Sequence, residues 1–407
     1  MTTLTPVAAA GLTGDDWLRA RRTAAAEQFA ATSLPNADEE MWRYSRIGSL
    51  DLDRFHLAAS TGGTTAAANW PFELASHGAL IVTRNGALSS STLPEEFLGA
   101  PQDLLGAVSP RAPDAFDFLN DGFLQAPITV RVPRRAELTG PIVVVHWIDE
   151  ADAAVFPRLV LDAEDGADVS VVEIFASADV PALVVPVTEL RAGSRARLNY
   201  LNIQLLGPAV WQIGSQRADA ASQATVTIST AAFGGEYARV HTECRLTGRG
   251  ATGNLVSLYF GDRTQMLDFR TFQDHQAPDC TSDLLFKGAV DGESHAVYSG
   301  LIKVRPQAHG TNAFQTNRNI KLSAGAWAES VPNLEIENND VHCSHASTVG
   351  PVDIDQKFYL GSRGVPPEVA ERLIVTGFFD DAIDRLAVPS FAEIPRNQVH
   401  AKLSGAR

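Results

Sequence analysis

The chain has 407 residues, of which 45% are hydrophobic and 20% are charged. It is therefore long enough for two or three domains and has the composition of an ordinary globular protein. Its formal net charge of -15 argues against duplex nucleic acid and anionic membrane as main partners, because both are polyanions. The sequence shows neither a basic, apolar leader nor a long apolar stretch, which predicts a cytoplasmic protein.

Residues 1–124 are predicted to form an N-terminal region of helical and mixed structure. An acidic start followed by alanine and arginine favours a helix at residues 15–32. Two short strands around an Asn-Gly turn are predicted at residues 79–88, and one further helix at residues 114–124. The small and polar segment at residues 60–68 is interpreted as a surface loop.

Two aromatic residues of this region, Trp42 and Tyr44, lie in the segment MWRYS. We interpret them as anchors that hold an N-terminal helical layer on the main body. The alternative interpretation is an aromatic binding patch.

Residues 125–350 are predicted to form a core of short strands. Convincing helical patterns are absent from most of this part, and strand-like runs follow regularly spaced turn signals. This repeat favours a β-solenoid over a β-sandwich, whose strands come about every 8 to 12 residues without self-similarity. The turn signals recur about every 27 to 29 residues, at Asp165-Gly166, Ala192-Gly193, Ala221-Ser222, Gly250 and Pro278-Asp279.

Three cysteines, an odd number at wide spacing, do not indicate a disulfide framework, so reduced thiols are expected. Cys244 alternates with charged residues in YARVHTECRL, which predicts a core position. Cys280 follows Pro278 in a turn near His275, and we interpret it as a partly exposed structural thiol rather than a metal ligand. The third cysteine is Cys343.

Cys343 and His345 are the strongest candidates for chemistry. In an extended strand, side chains at i and i+2 share a face and lie roughly 6.6 Å apart, which suits a soft-metal or sulfur-handling site. A closed zinc or iron-sulfur site takes four ligands. The other ligands must come from elsewhere in the fold or from a second chain. The alternative is that the pair binds no metal and is a buried thiol beside a hydrogen-bonded imidazole. His342 points to the opposite face and is a weaker candidate.

Glu335 and Glu337 share a face at the same spacing. They are candidates for assisting iron coordination or proton transfer, and a solvated strand edge is the favoured alternative.

Residues 351–407 are predicted to form a C-terminal helical region, with helices at residues 353–360 and 366–386. The longer helix has an apolar face broad enough to pack on the body and leave a groove for a partner. The residues of that face are Ala370, Ile374, Phe378, Ala382 and Leu386, with Val369, Leu373 and Ile383 beside them.

Long segments of the sequence resemble the SufB/SufD family of iron-sulfur cluster assembly proteins. The resemblance implies a mainly β protein with a right-handed parallel β-helix core, flanked by N-terminal and C-terminal helical regions. The segments are MWRYS (41–45), HQAPDCTSDLLFKG (275–288), TNAFQTNRNIKLS (311–323), PNLEI (332–336), DVHCSH (340–345), STVG (347–350) and DQKFYLGSRG (355–364).

Within this family the sequence is most similar to the SufD branch. SufB-type chains have Glu-His-Glu-Ala where this chain has Cys343 and His345, and they place a cysteine near residues 319–323, where this chain has none. The resemblance implies that Cys343 and His345 hold a nascent iron-sulfur cluster at an interface with a SufB-like partner, which supplies the thiolate. SufD-like chains usually continue with Gly-Ala, whereas Ala346 and Ser347 follow here, a change in backbone freedom that removes no candidate ligand.

The resemblance further implies that the SufC ATPase docks on the C-terminal helices. We therefore expect a non-enzymatic scaffold subunit that binds a transient cluster in the complex and none stably when isolated. The sequence has no G-x-x-x-x-G-K-[ST] motif for binding ATP itself. The alternatives are a polysaccharide lyase or hydrolase, a chemistry that β-helices often host, and a homodimeric structural protein.

Overall fold

Two long sheets, named sheet A and sheet B, dominate the chain. The computed structural model describes residues 3–59, 70–108, 113–136 and 138–405, so the loop predicted at residues 60–68 lies outside the described residues. The strands are, in chain order, β1 (His56–Leu57), β2 (Ala79–Arg84), β3 (Ala87–Ser91), β4 (Ile128–Val132), β5 (Ile142–Ile148), β6 (Ala153–Val155), β7 (Arg158–Ala163), β8 (Asp168–Ser177), β9 (Ala182–Val184), β10 (Val187–Ala192), β11 (Arg197–Leu205), β12 (Val210–Ala220), β13 (Thr225–Ala232), β14 (Tyr237–Leu246), β15 (Thr252–Gly261), β16 (Met266–His275), β17 (Thr281–Val290), β18 (His295–Val304), β19 (Thr311–Lys321), β20 (Trp327–Ile336) and β21 (Val341–Pro351).

In sequence, helices precede and follow the strand-rich core. They are α1 (Pro6–Ala10), α2 (Asp16–Ala31), α3 (Pro101–Leu104), α4 (Ala115–Phe123), α5 (Ile354–Ser362), α6 (Pro367–Ile383) and α7 (Glu393–Leu403). This confirms the helices predicted at residues 15–32 and 114–124. Asp114 caps α4 by accepting hydrogen bonds from the backbone N–H groups of Phe116 and Asp117, which the helix itself leaves unpaired.

The strands wind into a parallel β-solenoid, as predicted. Arg197 of β11 pairs in parallel with Asp168 of the preceding turn and with Thr225 of the following turn. Each full turn therefore contributes one strand to sheet B and then one or two to sheet A. The last turns are longer than the predicted repeat, as the wider separation in sequence between the paired residues Thr281 and Asn312 shows.

The corner that leads from sheet A to sheet B explains the repeating turn signals. Gly166 and Gly250 adopt φ values of 72° and 69° there, a left-handed conformation that glycine reaches without strain. Corresponding corners place Arg195, Gln223 and Asp279 at φ of 59°. Stacked corners of one shape keep successive turns in register.

Side chains that point between the two sheets form the main core. Leu198, Tyr200 and Val226 are among those with no exposed surface. Each fully buried large apolar side chain contributes roughly 1.5 to 3 kcal/mol through loss of contact with water. The solenoid is therefore stabilised along its whole length by contacts between consecutive turns.

The N-terminal region packs on the outer face of sheet A and also contributes strands. β2 pairs in parallel with β5, and the predicted hairpin with β3 is confirmed, with Asn85 and Gly86 at positive φ. Trp42 is buried as an anchor, with the Arg239 guanidinium 3.9 Å from its ring centroid. Tyr44, by contrast, is 41% exposed, although its ring lies 5.9 Å from that of Trp327 in β20.

The C-terminal helices α6 and α7 pack on the outer face of sheet B. The buried face of α6 differs from the predicted one at two positions. Val375 and Phe379 are buried, whereas their predicted neighbours Ile374 and Phe378 are only partly buried. A buried lysine explains the difference, because Lys287 of β17 donates a hydrogen bond of 2.8 Å to the Phe378 carbonyl and pairs with a carboxylate on α6. Helix α7 was not predicted.

Candidate functional site

The last turn of the solenoid leaves two open strand edges side by side. Among the described strands, β20 pairs only with β18 and β21 pairs only with β19. Their outer N–H and C=O groups therefore lack a strand partner, which makes such an edge a template for pairing with another chain. The two edges lie close together, because the Ser347 hydroxyl hydrogen-bonds that of Ser330 at 2.7 Å and so joins the ends of the sheets.

Cys343 and His345 lie in β21, on the side of the strand that continues the solenoid interior. Cys343 is in register with Ala313, and His345 with Gln315. Tracing the register back through the turns places His345 at the end of a row that begins with buried Tyr200. The interior therefore opens at these two side chains, whereas His342 alternates to the outer side and is exposed.

Cys343 occupies a half-buried, mainly apolar position. It packs against the small cluster that contains Ile302, Val304, Ala308 and Ala313. Burial raises the pKa of the Cys343 thiol above its usual value, although the Ala313 backbone N–H partly offsets this. The group is therefore a neutral thiol at neutral pH, and it needs a metal ion or another nearby cation to become a thiolate ligand.

His345 is exposed, and the residues next to it in the interior are polar. Gln315, its register partner, donates a hydrogen bond of 2.5 Å to the Tyr298 hydroxyl. That hydroxyl lies 3.1 Å from the Thr271 hydroxyl. Exposure leaves the imidazole accessible to a ligand or to a second chain.

Cys343 and His345 are by themselves too few for a cluster or a closed metal site. No group of three or more His, Cys, Asp or Glu side chains arranged to hold a metal ion occurs within residues 3–59, 70–108, 113–136 and 138–405. Cys343 and His345 therefore provide at most two of the four ligands that such sites usually need.

The other two cysteines lie inside the solenoid, away from the open end. Cys244 is a core residue, as predicted, and burial raises its pKa to about 12. The prediction that Cys280 is partly exposed is wrong, because it has no exposed surface and its thiol donates to the Gly248 carbonyl at 3.3 Å. The next turn covers the corner in which Cys280 lies. Neither thiol is accessible as a surface ligand.

The two glutamates are engaged by a lysine. Glu335 forms an ion pair with Lys303, and the Glu337 carboxylate lies 3.9 Å from the same ammonium group. Both glutamates are exposed at the end of sheet A, which agrees with the alternative of a solvated strand edge. They do not form a pair of free acids suited to sugar chemistry.

The substitution at Ala346 leaves the strand intact. Ala346 lies inside β21, and its φ is not positive. The backbone next to His345 is therefore ordinary extended strand, which alanine adopts as readily as glycine.

Some features of this site were missed from sequence. The contact between Ser330 and Ser347 and the row that ends in His345 depend on strand register. Aligning the last two strands of sheet B so that Gln315 faces His345 would have shown the row. The exposed apolar side chains of α5 were also missed.

No helix within the described ranges combines the length and the apolar character needed to span a membrane.

Comparisons with known proteins point to one family. A family model described as the SufBD core domain of SUF system FeS cluster assembly matches residues 146–378. The chain is 31% identical over 371 residues to an iron-sulfur cluster assembly SufBD family protein of Mycobacterium bovis, covering 89% of this chain and 88% of that protein. It is 26% identical over 371 residues to the iron-sulfur cluster assembly protein SufD of Escherichia coli, covering 88% and 87%.

A shorter alignment has higher identity. A SufBD family protein of Mycobacterium leprae is 44% identical over 172 residues, which cover 40% of this chain and 44% of that protein.

Proposed function

Because the chain belongs to the SufBD family of iron-sulfur cluster assembly proteins, within which it is most like SufD, we propose that it is the SufD-like subunit of a cluster assembly scaffold. In this proposal it pairs with a SufB-like chain, docks the SufC ATPase, and helps to build and transfer nascent clusters. It has no catalytic turnover of its own, and the cluster is its cargo.

The open edges of β20 and β21 support the pairing. Their unpaired backbone groups and exposed apolar side chains, such as Ile336 and Val349, suit strand addition by a second subunit. Paired there, the second chain would approach Cys343 and His345, which lie in the same strand edge.

The incomplete ligand set supports a shared cluster site and is the observation that carries the proposal. A thiol and an imidazole lie together at an open end, and the described part of the chain offers no third ligand beside them. On binding iron, Cys343 would lose its proton and His345 would coordinate through a neutral ring nitrogen. The partner would supply the remaining ligands. A reducing cytoplasm suits this use of a free thiol.

Helix α5 supports docking of the ATPase. None of its residues is buried, and Ile354 and Phe358 are 74% and 77% exposed. A groove of about 490 Å³ runs between this helix, α6 and the end of sheet B, lined by Phe358, Lys357 and Val352 among others. An exposed apolar helix beside a groove suits a protein partner.

Substitution of His345 tests the shared cluster site. His345→Ala, co-expressed with the SufB-like and SufC partners, is expected to lower iron and sulfide on the complex several-fold, because one ligand is lost. His342→Ala, on the outer side of the same strand, is the matched control and should leave both contents unchanged. Equal iron and sulfide in wild type and His345→Ala, with the complex intact, would contradict the proposal.

A further inference from the structure

A short segment at residues 41–46 crosses the outer face of sheet A towards the open end of the solenoid. The Met41 carbonyl accepts a hydrogen bond of 2.6 Å from Arg239 of β14, and the Arg43 carbonyl accepts one of 2.6 Å from Arg270 of β16. Asp268 holds both of these buried arginines by ion pairs. The segment is thus fixed strand by strand on a rigid support.

Beyond these anchors the segment places Tyr44 on the edge strand. The Tyr44 ring lies 5.9 Å from that of Trp327, the first residue of β20, and the His295 ring packs edge-on against the same indole at 5.5 Å. Tyr44 has a φ of 66°, a conformation that costs a bulky residue energy. The support described above therefore holds a strained backbone that keeps an aromatic ring at the surface.

Two arginines next to this aromatic cluster lack an acidic partner. The Arg43 guanidinium stacks over the Tyr44 ring at 5.1 Å, and Arg46 is close enough to His295 to contribute to lowering the pKa of that imidazole, which burial lowers most. Within the described residues, neither arginine has a carboxylate within ion-pair distance. Glu329, two positions after Trp327 on the same face, likewise has no arginine or lysine within ion-pair distance among the described residues.

The other arginines on the outer face of sheet A are neutralised. They form ion pairs with aspartate or glutamate; these arginines are Arg131, Arg158, Arg191, Arg217, Arg239, Arg245, Arg270 and Arg305. Among the described arginines on this face of the solenoid, Arg43 and Arg46 are thus the ones left without a carboxylate, and they lie beside the exposed Tyr44 ring and the partly buried ring of Trp327. An acidic partner would supply the missing negative charge.

We infer that Arg43, Tyr44, Arg46, His295 and Trp327 form a docking patch for an acidic segment of the partner subunit, which extends the pairing along β20. This inference rests on the proposed function, because the patch is continuous with the edge proposed to pair with that subunit. A strand added to β20 passes Trp327 at one end and so reaches the patch. Tyrosine, tryptophan and arginine are also the residues that dominate binding energy at protein interfaces.

The patch has two separable contributions. The rings supply desolvated contact area, so their loss weakens the complex mainly by faster dissociation. The arginines attract the acidic segment, so their reversal to glutamate replaces attraction by repulsion and slows association most strongly at low salt. A patch that served only to hold the N-terminal layer in place would instead alter the stability of the isolated chain.

Affinity for the SufB-like partner, measured by surface-based kinetics at two salt concentrations, tests the patch. Tyr44→Gly is expected to raise Kd by about tenfold or more, as for an interface hot spot, without lowering Tm, because glycine relieves the strained backbone. The double variant Arg43→Glu, Arg46→Glu is expected to lower the association rate, and to lower it more at the low salt concentration than at the high one. Leu98→Ala and Arg195→Glu alter exposed residues elsewhere and are the matched controls, expected to bind like wild type.

The outcomes separate this inference from the proposed function. If the wild-type chain binds the partner and both Tyr44→Gly and the double arginine variant bind equally well, the docking patch is overturned and the proposed pairing stands. A fall in Tm of Tyr44→Gly with unchanged Kd likewise assigns Tyr44 to packing alone and overturns the patch. If wild type does not bind the partner at all, the proposed function fails and the inference fails with it.

Discussion

At the scale of single residues, the position of a polar side chain in the solenoid decides its chemistry. His345 ends an interior row and is exposed, whereas His275, whose side chain points into the solenoid from sheet A, has no exposed surface. Burial lowers the pKa of His275 to about 4, since the charged imidazolium loses its hydration. The same residue type is thus available to a ligand at one position and is a neutral structural group at the other.

The buried His275 predicts that the protein loses stability in mild acid. The unfolded chain takes up a proton near the ordinary histidine pKa of about 6.5, whereas the folded chain resists until about 4. Stability is therefore full above about pH 6.5 and falls as the pH drops towards 4. The shift corresponds to up to about 3 kcal/mol.

Thermal unfolding at pH 7.5 and pH 5 measures this effect. The variant His275→Gln, which retains a hydrogen-bonding group towards the Ser282 hydroxyl, is expected to lose less Tm between the two pH values than wild type. His77→Gln, at an exposed histidine, is the control and should follow wild type. An equal loss of Tm in His275→Gln and wild type would contradict the assignment.

At the scale of elements, the last two strands and the first C-terminal helix leave much of their surface uncovered. β20 and β21 have one neighbour each, and α5 buries none of its residues, whereas α6 and α7 pack firmly on sheet B. In the proposed assembly, the edges of β20 and β21 and the helix α5 are therefore the surfaces offered to partners, whereas α6 and α7 pack on the protein's own core.

Charges placed on the open edges are expected to prevent pairing with the SufB-like subunit. Ile336→Lys alters the last residue of β20, which is 43% exposed, and Val349→Lys alters a residue of β21 that is 40% exposed. A lysine there must be desolvated on pairing, so we expect Kd to rise by about tenfold or more with little change in Tm. Leu88→Lys, on the edge strand at the opposite end of sheet B, is the control. Undiminished binding by both edge variants would exclude this edge as the interface.

A charge on α5 is expected to release the ATPase. Phe358→Asp alters an exposed ring beside the groove, so it should abolish co-purification with SufC while the SufB-like subunit stays bound. Leu98→Asp, at an exposed leucine of the N-terminal region, should leave the ATPase bound. Retention of SufC by Phe358→Asp would show that α5 is not the docking element.

At the scale of the whole molecule, the repeat in the sequence made the solenoid predictable. The way in which the C-terminal helices pack on the solenoid could not be predicted. Turn residues such as Gly166 and Gly250 recur because each corner needs the same backbone shape, and this revealed the solenoid. The buried face of α6 depends on where Lys287 reaches it, which no local pattern records. Helix α7 was missed because it contains Pro395 and has a weakly segregated apolar face.

The candidate site divides in the same way. Alternation alone placed Cys343 and His345 on one face of a strand, and the register confirms that placement. The burial of Cys280 and the exposure of Tyr44 depend on contacts with residues that are distant in sequence, such as Gly248 for Cys280 and Trp327 for Tyr44. Resemblance to a family supplied the proposed cargo and partners, which the residues alone did not specify.

The most direct test of the shared site asks whether a nitrogen atom of this chain binds the cluster. This chain is labelled with ¹⁵N-histidine, combined with unlabelled partners, loaded anaerobically with iron and sulfide, reduced, and studied by pulsed electron paramagnetic resonance. A ¹⁵N coupling to the cluster is predicted for the wild-type chain and its loss is predicted for His345→Ala. A cluster assembled on the complex without any coupling to this chain, or with a coupling that survives in His345→Ala, would contradict the account.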